Sequence, residues 1–415
     1  MKTDICSCTS ALGIFASSLS LVLFFWNVAA NLWAVVSFYQ QEKYFSMVVF
    51  IFLVLSSSVL LNTFSWLFYS ESPEDLDTDV DRFMKEHGLL ALVHVMQLGV
   101  FLRRVGMLEL SLRGTFDRKR TFQNRGTDIL NFDLSALYLF KAFSESAPQL
   151  ILMTTSIIQM EDFHLFTVIK IVGSLSSLSF TVVSYHRSMD VFVPEKLKMG
   201  WFSSIIYFLW NLFLIGPRVV CVSLFTSVLP YYIAAHFLSL WLMLVLWAWW
   251  QNTDFINSKA GDWLYRAIVG LIWYFSWFNV TTRNTKLIGI IYHVVMGADT
   301  MLLLGLWWWK RSVESARLSL FIINPYLVIG LLMVIYITGV LMKLVYYWKC
   351  HPNKTILEMN LKDEESEMKT ECDAISYGGL EEDTTVTLES KFEPEGTVLA
   401  DIHKRIRHMA VNFYS

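Results

Sequence analysis

Long stretches of apolar residues dominate the chain. Residues 11–41 contain no Asp, Glu, Lys or Arg, and seven further stretches are almost as apolar. Because about twenty apolar residues in a helix cross the hydrocarbon core of a bilayer, the pattern predicts membrane-spanning helices. We expect these spans at residues 11–39, 44–69, 132–158, 163–186, 201–228, 231–251, 287–309 and 319–347. The alternating pattern of a membrane β-barrel is absent, so the sequence predicts an all-α polytopic membrane protein.

Two further apolar stretches, at residues 88–102 and 267–282, are too short to cross a bilayer. A spanning helix needs about twenty residues, and each of these stretches ends at an arginine. We therefore expect short re-entrant helices, which enter the membrane and return to the same side, at residues 88–112 and 263–282. Internal duplication with short hydrophobic segments at matching positions is typical of a transport or binding path at the interface between two repeats.

The spans and short helices divide the membrane part into two similar halves, residues 1–190 and 191–350. The loops at 113–125 and 187–198 are rich in Lys and Arg, and basic loops favour the cytosolic side of a membrane. Both loops fall on the same side as the two termini if the first short helix is re-entrant. We therefore expect cytosolic termini, with residues 351–415 forming a cytosolic tail.

Ionisable and polar residues interrupt the apolar pattern of several predicted spans. They lie at Asp133, Lys141, Glu145 and Gln149 in the third span and at Arg218 and Asp299 in the second half. A charged side chain at the centre of a bilayer costs about 2.5–3.5 kcal/mol on insertion scales, which makes each of them a candidate functional residue. The spacing within the third span predicts one shared helical face and an ion pair between Lys141 and Glu145.

Polar residues also recur in two neighbouring spans. The fourth span carries a stripe of Lys170, Ser174, Ser177 and Thr181, and the first span carries Asn27 and Asn31 one turn apart. Two interpretations of all these residues stay open. They either form a continuous polar track between the two membrane surfaces, or they fasten helices together through buried hydrogen bonds and ion pairs.

Composition narrows the classes of function. The chain has a formal net charge of −3 and only 17% charged residues, which argues against the basic surface of a nucleic-acid-binding protein. It contains no P-loop, serine-hydrolase or zinc-protease motif, and its five cysteines show no metal-ligand spacing. We therefore expect no cofactor, no metal site and no enzymatic activity, and any transport is expected to be passive.

Four stretches of the membrane part resemble the XK-related membrane protein family. They are HVMQLGVFLRR, FSESAPQLIL, LFLIGPRVVCVSLFTSVL and LVYYWKCHP. For one branch of that family, the resemblance implies an energy-independent phospholipid scramblase of the plasma membrane, which exposes phosphatidylserine during apoptosis. It also implies that phospholipid headgroups move along a path lined by charged residues. The matching positions are Asp133, Lys141, Glu145, Arg218 and Asp299, together with Arg103 or Arg104.

The resemblance further implies protein partners and a switch in the tail. A single-span immunoglobulin-type glycoprotein of the basigin or neuroplastin type is expected to accompany the chain to the cell surface, and an effector caspase is expected to cut the tail. Asp373, in TECD before Ala374, is the expected cleavage site and Asp383 the alternative, although Thr370 stands where caspases often prefer Asp.

The end of the tail is basic and has apolar residues at helical spacing. These residues are Ile402, Ile406, Met409 and Phe413. The spacing predicts an amphipathic helix that docks on the protein or lies on the membrane surface, and a frayed terminus is the alternative. We expect the helix to be autoinhibitory, closing the cytosolic end of the path until the tail is cut. The alternative function is a non-scrambling, XK-like scaffold that binds partner membrane or lipid-transfer proteins. A third is a solute channel or carrier.

Overall fold

The computed structural model of the chain describes residues 2–71, 78–116, 120–160, 165–192, 200–251, 258–280, 285–315, 325–349 and 406. These segments form α-helices and one π-helical turn, and none of them contains a β-strand. The α-helices are α1 (Lys2–Gln40), α2 (Tyr44–Glu71), α3 (Asp79–Glu86), α4 (Leu90–Val95), α5 (Gly99–Phe116), α6 (Arg120–Lys141), α7 (Ala147–Met160), α8 (Leu165–Asp190), α9 (Trp201–Val228), α10 (Ile233–Trp250), α11 (Lys259–Phe275), α12 (Thr285–Ser315) and α13 (Pro325–Lys349). The prediction of an all-α fold is confirmed.

Seven helices in the described segments are long and apolar enough to cross a bilayer. They are α1, α2, α8, α9, α10, α12 and α13. The chain is therefore a multi-pass membrane protein. The other predicted span, residues 132–158, falls on the end of α6, the π-helical turn and α7, and it carries the charged residues Asp133, Lys141 and Glu145.

The π-helical turn, Ala142–Ser146, joins α6 to α7. Pro148 has no backbone N–H, so it cannot donate to the carbonyl of Ser144 as a regular α-helix requires. A wider turn precedes the proline, in which the N–H of Ala147 donates to the carbonyl of Ala142. This turn rotates α7 relative to α6.

The first predicted re-entrant segment, residues 88–112, contains two helices rather than one. A turn that includes Gln97, whose φ is +64°, separates α4 from α5. The second predicted segment, residues 263–282, begins inside α11 and continues as non-helical chain from Ser276 to residue 280. None of these helices is among the seven candidate spans, and their re-entrant position stays a prediction, as does the division into halves.

Helix α9 lies at the centre of the bundle. It packs against α7, α8, α12 and α13 and has sixteen buried residues, among them Trp210 and Arg218. Helix α1 packs on α2 and α5 and leaves large apolar side chains such as Trp26 and Trp33 exposed. An exposed apolar surface of this kind is what a lipid-facing helix presents.

One residue of the tail is within the described part of the chain. Ile406 is only 3% exposed and belongs to the main hydrophobic core. The predicted cleavage sites and the rest of the predicted tail helix lie outside the described residues, namely Asp373, Asp383, Ile402, Met409 and Phe413.

Candidate functional site

A groove with a volume of about 910 Å³ lies between α1, α2, α7 and α8. The predicted stripe on α8 lines it, together with Asn27 and Asn31 of α1 and Gln149 of α7. Its lining includes Lys43 and Lys170 but no Asp or Glu among the residues that the structure describes. The groove therefore combines hydrogen-bonding side chains with positive charge, which suits a ligand that carries an anionic group.

A cluster of four residues, Asn27, Asn31, Lys141 and Glu145, joins α1 to the π-helical region behind the groove. Lys141 Nζ donates to Asn27 Oδ1 at 2.6 Å, and Asn31 Nδ2 donates to Glu145 Oε1 at 3.0 Å. The predicted ion pair forms, with Lys141 Nζ 3.4 Å from Glu145 Oε1. Glu145 is 2% exposed. Since both asparagines also line the groove, this ion pair, with Glu145 buried and Lys141 25% exposed, lies next to its wall.

Arg103 and Asp133 form a separate buried ion pair. Arg103 Nη1 lies 2.7 Å from Asp133 Oδ2, and both side chains are at most 9% exposed. The same guanidinium donates to the hydroxyl and carbonyl of Ser65 and lies over the ring of Tyr69, 4.1 Å from its centroid. The pair thus connects α2, α5 and α6, and neither residue lines the groove.

Arg104, next to Arg103, makes different contacts. Its Nη1 donates to the carbonyl of Ser20 at 2.7 Å, and its guanidinium lies between the rings of Phe24 and Tyr138. These contacts attach α5 to α1 and α6. Cation–π contacts of this kind stabilise an arginine that is removed from water.

A third group of charged residues lies in the second half of the chain. Arg218 Nη1 donates to Asp299 Oδ2 at 2.5 Å, and Arg218 Nε donates to the carbonyl of Tyr274 at 3.1 Å. His236 Nε2 lies 2.9 Å from the other carboxylate oxygen of Asp299. We call Arg218, His236, Tyr274 and Asp299 the Arg218 cluster. Within the described part of the chain, Arg218 Nη2 is buried without a hydrogen-bond partner.

Sequence reasoning missed several residues of these groups. His236 and Tyr274 were not predicted, and the only available signal was a single histidine one turn inside an apolar span. Lys343 was also missed, although it interrupts the last span. Its Nζ lies 2.7 Å from His293 Nε2 and faces the ring of Trp210, and the residue is 7% exposed.

The predicted charged residues therefore form three separate ion pairs rather than one continuous track. Arg103 pairs with Asp133, Lys141 pairs with Glu145 behind the groove, and Arg218 pairs with Asp299. Gln149 lines the groove itself. Among the described residues, no group of three or more His, Cys, Asp or Glu side chains is placed to hold a metal ion.

Comparison with known proteins decides the family. The XK-related protein family matches residues 15–352. The chain belongs to the XK-related family. Curated proteins named XK-related protein 8 are 38% identical to it in Tetraodon nigroviridis, 37% in Gasterosteus aculeatus and 34% in Pan troglodytes. These matches cover 83%, 78% and 81% of this chain and 82%, 80% and 83% of the relatives. In this XK-related protein, the matched region contains the groove and all three ion pairs, and the tail lies beyond it.

Proposed function

We propose that this XK-related protein is an energy-independent phospholipid scramblase of the plasma membrane, which exposes phosphatidylserine after caspase cleavage during apoptosis. The observation that carries the proposal is the groove between α1, α2, α7 and α8, which is lined by amide and hydroxyl side chains and two lysines beside apolar residues. The similarity of the chain to proteins named XK-related protein 8 supports the proposal at the level of the family.

The groove has the size and chemistry that a phospholipid headgroup requires. A headgroup cannot enter the hydrocarbon core cheaply, because its charges lose their hydration. Amide and hydroxyl side chains in the groove can replace that water, and Lys43 and Lys170 can pair with the phosphate. A volume of about 910 Å³ lies within the range of about 300–1,000 Å³ of small-molecule sites. The acyl chains stay outside the groove, in the bilayer.

The three ion pairs have different roles in this proposal. The Lys141–Glu145 pair, through Asn27 and Asn31, sets the polarity and shape of the groove wall. The Arg218 cluster provides a second polar position in the other half of the chain, where the buried Arg218 Nη2 has no hydrogen-bond partner among the described residues. The Arg103–Asp133 pair holds α2, α5 and α6 together.

The tail is proposed to hold the scramblase inactive. Ile406 is buried in the main core, which supports packing of the predicted helix 402–413 against the membrane part. Cleavage by an effector caspase after Asp373, or after Asp383, would separate this helix from α13. In this arrangement both termini are cytosolic, and a basigin- or neuroplastin-type glycoprotein is the proposed partner during transport to the surface.

Reconstitution tests the proposal. The purified chain is placed in liposomes with a fluorescent phospholipid, and a membrane-impermeant quencher is added before and after treatment with an effector caspase. We expect only the outer-leaflet label to be quenched before cleavage and nearly all label to be quenched afterwards. The matched control carries Asp373→Ala and Asp383→Ala and should stay silent after treatment. A cleaved, folded protein that moves no lipid would contradict the proposal and favour the XK-like scaffold.

A further inference from the structure

His236 reaches the Arg218–Asp299 pair from a helix to which neither partner belongs. Arg218 lies on α9, Asp299 on α12 and His236 on α10. His236 Nε2 is 2.9 Å from Asp299 Oδ1, while Arg218 Nη1 is 2.5 Å from Asp299 Oδ2. Each oxygen of this one carboxylate therefore has its own partner, and together the two partners fix the plane of the carboxylate.

Tyr274, near the end of α11, contacts both His236 and Arg218. Its hydroxyl lies 3.3 Å from His236 Nδ1, and its carbonyl accepts a hydrogen bond from Arg218 Nε. Its aromatic ring also lies under the guanidinium, 4.7 Å from the centroid to Arg218 Cζ. When His236 donates through Nε2 to Asp299, Nδ1 of the neutral imidazole must accept. The tyrosine hydroxyl is placed to donate to it and so selects this tautomer.

We propose that His236 is a positioning residue, which holds Asp299 in the orientation that aligns Arg218. The inference rests on the proposed function, in which the Arg218 cluster is a second polar position along the lipid path. Without His236, Asp299 Oδ1 loses this donor, and the carboxylate can turn about its Cβ–Cγ bond. The guanidinium is then aligned less firmly, although it still donates to the carbonyl of Tyr274 and the hydroxyl of Thr300. The buried Nη2, which has no hydrogen-bond partner among the described residues, loses its fixed position with it.

Variants of the full-length chain test this role. After caspase treatment in liposomes, we expect His236→Leu to slow lipid flux by about tenfold, because a hydrogen bond to a charged group is lost. His236→Gln should restore flux to near the wild-type rate, since its amide can donate to Asp299 and accept from Tyr274. Tyr274→Phe, which removes only the hydroxyl, should cause a smaller loss. Leu238→Ala, at an exposed position of α10, is the matched control and should behave as wild type.

Thermal unfolding of the purified protein tests the contact without any need for activity. His236→Leu and Asp299→Asn break the same contact. We therefore expect the double variant to lower the unfolding midpoint by less than the sum of the two single effects. Strictly additive effects would overturn the inference, as would a glutamine variant as slow as the leucine variant. If wild-type protein moves no lipid but the coupling is present, the proposed function fails and the contact between His236 and Asp299 stands.

Discussion

Variants of the Arg103–Asp133 pair test whether this ion pair only stabilises the fold or also serves transport. Both side chains are at most 9% exposed. Removing one partner of such a pair leaves a buried charge without compensation and typically costs about 3–5 kcal/mol. Replacing both partners with apolar residues of similar volume is often neutral or stabilising. We therefore expect Asp133→Leu alone to be severely destabilised and Arg103→Met with Asp133→Leu to recover the wild-type stability.

The double change leaves the hydroxyl of Ser65 with a hydrogen-bond partner. The hydroxyl of Ser65, which loses Arg103, still lies 3.1 Å from His94 Nε2. The replacement therefore removes the charges without leaving this hydroxyl unpaired. Unfolding midpoints of detergent-solubilised protein and the amount at the cell surface measure the recovery. Because the pair does not line the groove, we also expect the recovered variant to move lipid at the wild-type rate after caspase treatment.

A matched double variant at the groove wall is expected to behave differently. Lys141→Met with Glu145→Leu also removes an ion pair, at the junction of α6 and the π-helical turn, but it deprives Asn27 and Asn31 of their charged partners. We expect this variant to fold and to move lipid several-fold more slowly. A stable but silent Arg103–Asp133 double variant, together with normal transport by the Lys141–Glu145 double variant, would contradict these roles of the two pairs.

Other perturbations follow from the packing and charge of the bundle. A Cβ on Gly270 would lie 2.7 Å from a side-chain carbon of α10, so Gly270→Ala should lower the free energy of unfolding by about 1–3 kcal/mol. Gly173 has open space around it, so Gly173→Ala should leave the stability unchanged. Equal effects of the two substitutions would contradict this packing. Lys170→Glu should slow flux by reversing a positive charge in the groove, whereas Lys85→Glu on α3 should have no effect. Ile406→Asp should permit flux without caspase, because a charge cannot stay in the core, and continued silence of a folded variant would argue against docking of the tail.

The spans could be predicted because the thickness of the bilayer sets the length of an apolar helix. The Lys141–Glu145 pair was also predictable, since residues four apart on a helix are neighbours. The stripe on α8 likewise lines the groove as one surface. In each case the relevant geometry lies within a single helix.

Partners on different helices could not be predicted in the same way. A lipid-embedded helix is apolar on its outer face as well as its inner face, so hydrophobic periodicity does not reveal its rotation within the bundle. Arg103 therefore gave no sign that it would meet Asp133, and His236 gave none that it would reach Asp299. The π-helical turn added a local rotation between Lys141 and Gln149 that regular helical spacing does not contain.

Obstruction of the groove is the most direct test of whether headgroups move through it. Ser174 lies on α8 inside the groove, whereas Val172 on the same helix is 51% exposed and does not line it. Ser174→Trp would fill part of the groove, and Val172→Trp would face lipid. We expect the quenching assay in liposomes to show that Ser174→Trp abolishes caspase-activated lipid flux and that Val172→Trp preserves it. Equal, wild-type flux through both variants would contradict the groove as the path.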